Sequence, residues 1–129
     1  MKKHRLLAIV MGMMMTAALS PEAFAKDGST SCTFRTISGA SGAGYLSVAS
    51  SQMLARTTIP ANGNYAAVEM KYHYKTEGGS LVEKTLRDES VQTVQVKKAL
   101  PSKTSERKAT SEHYEDVPPN VNVGYCSLW

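Results

Sequence analysis

From Asn64 to Thr76 the chain reads NYAAVEMKYHYKT, in which Ala66, Val68, Met70, Tyr72 and Tyr74 share one parity and Glu69, Lys71, His73 and Lys75 the other. Side chains alternate between the two faces of a strand, so this period of two predicts a strand that is greasy on one side and ionic on the other. Antiparallel sheets with one solvated face show this pattern. On this reading Tyr72 and Tyr74 pack inward, and His73 stands in water between Lys71 and Lys75. Glu77-Gly78-Gly79-Ser80 supplies the turn, and LVEKTLR from Leu81 returns as the partner strand.

Weaker alternation surrounds this segment. GYLSVASSQMLARTTI, from Gly44, reads as strand ahead of Pro60 and the Asn62-Gly63 turn signal. A helix near 46–56 competes there, because Val48, Gln52, Met53 and Ala55 also fall at helical spacing. VQTVQVKKAL places Val94 and Val96 on one face, and ATSEHYEDV reads as a polar edge strand with Thr110, Glu112 and Tyr114 on one side. After Pro118-Pro119, the segment NVNVGYCSLW puts Val121, Val123, Tyr125 and Trp129 on one parity. KDGSTS (26–31), SGASGAG (38–44) and residues 101–108 have loop composition. Short strands between turn signals predict an all-β fold, a small antiparallel sandwich or open barrel of about six strands. The alternative is an α+β fold with the helix near 46–56.

Composition changes this picture at the N-terminus. Lys2, Lys3, His4 and Arg5 precede an apolar run from Leu6 to Leu19 and an Ala23-Phe24-Ala25 ending, the pattern of a cleaved secretory signal over residues 1–25. Residues 26–129 then form one secreted β-rich domain. Removing Lys2, Lys3, Arg5 and Glu22 lowers the formal charge from +4 to +2. So mild a balance gives no support for nucleic acid as a partner. Export also makes a disulfide between Cys32 and Cys126 the natural expectation, joining the N- and C-terminal elements. Closing so long a loop is worth about 4.5 kcal/mol in the chain-entropy account.

Candidate chemistry is sparse. Lys97, Lys98, Lys103, Arg107 and Lys108 form a basic run suited to an anionic cell-wall polymer or membrane surface, although a solvated loop has the same composition. Tyr72, Tyr74 and Trp129 are candidates for an aromatic ligand platform, against core packing as the plainer use. His113 sits in SEHYEDV among acids, but with both cysteines assigned to a bridge no metal site is expected. No cofactor is expected, Gly-x-Ser-x-Gly does not occur, and SGASGAG lacks the Gly-Lys-Ser/Thr ending of a phosphate loop. The sum points to a small non-enzymatic protein, a binding or interaction module at or outside a bacterial cell envelope. Its partner would be an anionic polymer, a membrane surface or a protein. A bacteriocin-like or toxin-like antagonist and a hydrolase inhibitor are the alternatives.

Overall fold

The computed structural model describes residues 27–119 and 121–129. The signal peptide expected over residues 1–25 lies outside the described residues. Period-two alternation resolves into eight strands rather than about six: β1 (Gly28–Arg35), β2 (Ser41–Val48), β3 (Gln52–Thr58), β4 (Tyr65–Lys75), β5 (Leu81–Val91), β6 (Thr93–Ala99), β7 (Ser105–Glu115) and β8 (Val123–Leu128). They form two antiparallel four-stranded sheets packed face to face, ordered β1-β2-β3-β6 and β5-β4-β7-β8. The fold is an all-β sandwich, and no helix forms over 46–56, where β2 and β3 pair instead.

One extra strand, β1, starts in a segment with loop composition; the other arises because the strand read from Gly44 to Ile59 breaks at Ala49-Ser50-Ser51 into β2 and β3, with β2 reaching back into SGASGAG. Gly42 and Gly44 in SGASGAG are inward-facing positions of β2, alternating with outward Ala43, Tyr45 and Ser47. A Cβ on Gly42 would come within 3 Å of three ring atoms of Phe34, its partner across β1 and β2. These glycines provide close approach rather than flexibility. KDGSTS contributes most of the start of β1, which begins at Gly28.

The core lies between the sheets. Leu46, Val48, Met53, Ala55, Val94 and Val96 from the first meet Val68, Met70, Tyr72, Tyr74 and Ala109 from the second. Tyr72 and Tyr74 are buried as the pattern of β4 predicts. Burying each of these side chains is worth about 1.5–3 kcal/mol, which explains why β4, with the longest inward apolar row, occupies a central position.

Three expectations need correction. His73 is not exposed but 9% accessible, because the row Glu83, His73, Lys108 and Trp129 crosses the second sheet and the Trp129 ring packs edge-on against it at 5.7 Å. β7 is not an edge strand: it lies between β4 and β8, and its polar inward residues are satisfied by a Ser111–His113 contact and by groups from the first sheet and its loops. The charged edge is β5, where Glu83, Lys84, Arg87, Asp88 and Glu89 discourage further pairing. Finally, β8 has the opposite parity, with Gly124 and Cys126 buried while Tyr125 faces outward and is 39% exposed. A strand's parity flips as a set, so one register choice moves the whole row.

Candidate functional site

The charge of the sandwich is divided by sheet. The strands β1, β2, β3 and β6 contain Arg35, Arg56, Lys97 and Lys98 and no aspartate or glutamate. The other sheet's strands hold Glu69, Glu83, Asp88, Glu89, Glu106, Glu112 and Glu115. Register pairing sets Ser31, Tyr45, Arg56 and Gln95 in one row across the outer face of the first sheet, next to a row of Thr33, Ala43, Thr58 and Thr93. The Arg56 guanidinium lies over the Tyr45 ring, 5.1 Å from its centroid. This stacking restrains the guanidinium while its N–H edges remain available to oxyanions.

The basic run expected between residues 97 and 108 does not act as one surface. Lys97 belongs to the acid-free face, one row from Arg56, whereas Lys98 has the opposite parity and is half-buried. Lys103 pairs with Glu77 at 3.1 Å. Arg107 makes a two-pronged pair with Asp27, at 2.8 and 2.9 Å, and donates to the Thr104 carbonyl. Lys108 lies on the outer face of the second sheet, 5.5 Å from the Trp129 ring centroid, with Lys71 at 5.7 Å.

The three aromatic rings also part company. Tyr72 and Tyr74 stack in the core with centroids 6.1 Å apart, and Trp129 lies on the far side of the sheet against His73. They do not line one platform.

What the fold does assemble is a buried group of Cys32, His113 and Cys126, whose sulfur and ring-nitrogen atoms lie within 4.8 Å of one another. β1 and β8 are edge strands of opposite sheets, and they bring Cys32 and Cys126 together as the sequence predicts. No disulfide joins them: the sulfurs are 2.9 Å apart, against about 2.05 Å for a bond, and the Cys126 thiol donates to Cys32. That contact lowers the pKa of Cys32; burial partly opposes the shift and the Gly44 backbone assists it. Cys126 is pushed up by the same bond, by burial and by the charge of Cys32, so it retains its proton.

His113 is fully buried, and its tautomer follows from its partners. The Thr57 hydroxyl gives its only proton to the Ala67 carbonyl at 2.8 Å, so at 2.8 Å from His113 Nδ1 it must accept. Nδ1 therefore carries the hydrogen. Nε2 is left with a lone pair and accepts from the Ser111 hydroxyl at 2.6 Å. Burial disfavours imidazolium and pushes the pKa down to about 4, with a backbone contact to Arg56 recovering part of the shift. Gly44 makes room for the ring, since a Cβ there would overlap His113 Cγ and Cδ2 and come 2.7 Å from Cys32 Sγ.

A second polar group stands at the end of β7. The Glu115 carboxylate accepts from Ile37 N at 2.6 Å, Asn62 Nδ2 at 2.8 Å and Asn64 Nδ2 at 2.9 Å. Burial raises its pKa, but the three N–H donors together outweigh burial and hold it below its ordinary value. This is a structural clasp between two loops.

Local sequence does not announce either site. His113, Ser111 and Glu115 share an inward parity that composition disguises, and Thr57 and Gly44 come from other strands. Comparison of the chain with known protein families, curated proteins and solved structures found no match.

Proposed function

We propose that this protein is an exported, non-enzymatic binding module that holds an anionic cell-surface polymer on the outer face of the β1-β2-β3-β6 sheet. The observation that carries this reading is the segregation of charge: every strand carboxylate among the described residues belongs to the other sheet. A net charge of +4 for the whole chain understates the local field, because a polyanion approaching this face meets Arg35, Arg56 and Lys97 with no acid between them. Serine, threonine and glutamine hydroxyls and amides around Arg56 supply further donors for phosphate or carboxylate oxygens. The long strand rows suit an extended chain rather than a small molecule, and Tyr45 offers a ring on which a sugar or the Arg56 guanidinium can rest.

Binding of the mature domain to linear polyphosphate and to a carboxylated glycan, with neutral dextran as control, tests the proposal by calorimetry. Polyanion affinity should fall steeply between low salt and 0.5 M, since screening shortens the reach of surface charge. Arg56→Glu should weaken binding at least tenfold, a loss of about 1.4 kcal/mol, while Lys103→Gln on the other side leaves it unchanged. Equal binding by the two variants, or binding of dextran as strong as that of polyphosphate, would remove the basis for this function.

A further inference from the structure

The Cys32, His113 and Cys126 group contains more than a disulfide requires. A bridge needs two sulfurs. Here a neutral imidazole is also buried beside them, its Nδ1–H held by Thr57 and its Nε2 lone pair turned to Ser111. Metal-binding histidines are commonly prepared this way, with one ring nitrogen fixed by a hydrogen bond so that the other presents its lone pair. Gly44 and Gly124 keep the surroundings of Cys32 Sγ free of side chains: a Cβ on Gly124 would stand 3.2 Å from that sulfur, and one on Gly44 closer still. Cys32, where the edge strands β1 and β8 pack together, is half-buried and the most accessible of the three side chains.

We infer that Cys32 Sγ, Cys126 Sγ and His113 Nε2 form a binding site for one monovalent copper ion. Two thiolates and one imidazole are a soft, three-ligand set, which favours Cu(I). Zinc would need a fourth ligand to close a tetrahedron, and the nearest side chain, the Ser111 hydroxyl, is a poor one. Binding replaces the thiol protons of Cys32 and Cys126, releasing two protons in all, and the Ser111 hydroxyl turns away from Nε2. The ion arrives and stays as Cu(I), so no electron is transferred. The 2.9 Å sulfur contact, in which one thiol leans on the other, gives way to two separate metal–sulfur bonds. This site lies between the sheets and is independent of the polymer-binding face.

The test uses the mature domain, kept reduced with a phosphine under anaerobic conditions, and titrates Cu(I) against a chromophoric chelator. Wild type should take one equivalent and gain thermal stability from it. Cys32→Ser and His113→Gln should each lose affinity by at least tenfold, and Thr57→Val, which keeps all three ligands but frees Nδ1–H, should lose roughly 10–100-fold. Should His113→Gln fail to fold, the nearly isosteric Thr57→Val variant carries the comparison. Failure of wild type to compete with the chelator overturns the inference. So does undiminished affinity in Thr57→Val together with His113→Gln, or recovery of the protein from copper-supplemented exporting cells as a copper-free Cys32–Cys126 disulfide.

Discussion

Replacing Glu115 with glutamine measures how much of the fold depends on one buried carboxylate. Glu115 is 4% exposed and ties the turn after β1, through Ile37 N–H, to the connection between β3 and β4, through Asn62 and Asn64. Both asparagine amides donate to Oε2, and Ile37 donates to Oε1. A glutamine keeps one oxygen but must turn its NH2 towards one of these sets of donors. Asn62 resists flipping because its Oδ1 already accepts Asn64 N–H at 2.9 Å. The less costly arrangement therefore faces the new NH2 towards Ile37 N–H. An unsatisfied buried N–H costs about 1–3 kcal/mol, and exchanging a charged acceptor for a neutral one loses about 1 kcal/mol per remaining bond. The expected loss at pH 7 is about 3–5 kcal/mol, a large share of the roughly 5–15 kcal/mol that holds such domains together. Urea unfolding followed by fluorescence measures it. The pH dependence tests the cause. Glu115 is held below its ordinary pKa in the folded chain, so its contribution is fully present above the unfolded value of about 4.3 and is lost as pH falls through the folded value. Wild type and Glu115→Gln should therefore converge in acid. A difference below about 0.5 kcal/mol at pH 7, or one of equal size at pH 7 and pH 3, would refute the clasp.

Other outcomes follow from the same packing. Gly44→Ala should cost about 1–3 kcal/mol or more, because its Cβ meets the buried His113 ring, whereas Gly28→Ala, with nothing within 4 Å, should be neutral or slightly stabilising; thermal unfolding compares them. The metal-free protein should lose stability as pH falls from about 6.5 to 4, since the unfolded imidazole takes a proton that buried His113 refuses until about 4. That window corresponds to on the order of 3 kcal/mol, and His113→Leu, though less stable overall, should show no such slope there. A slope preserved in His113→Leu would place the titration elsewhere.

Much of the architecture could be read from local pattern. The alternation of β4 predicts its inward tyrosines, Asn62-Gly63 marks a turn, and Gly63 and Gly79 adopt positive φ of 81° and 87° where turns were expected. Val94 and Val96 are buried on one face of β6 as their spacing implies. The misreadings share a cause. Gly42 and Gly44 look like linker but are core positions, because the side chains filling that space, Phe34 and His113, come from other strands. β7 looks like an edge because Ser111, His113 and Glu115 are polar, yet their partners Thr57, Ile37, Asn62 and Asn64 sit in the first sheet or its loops.

The candidate sites were the least legible part. Arg35, Arg56 and Lys97, far apart in sequence, share one outer face only because β1, β3 and β6 belong to the same sheet. Residues 97–108, contiguous in the chain, are dispersed by the crossover from β6 to β7. Which side of a strand faces the core depends on the chain's own neighbours, through the fixed alternation of side chains, and the sequence alone determined that for β4 and β6. Which strands become neighbours depends on contacts distant in sequence, and only the tertiary structure decided that the acids gather on one sheet and that two thiols meet a buried imidazole.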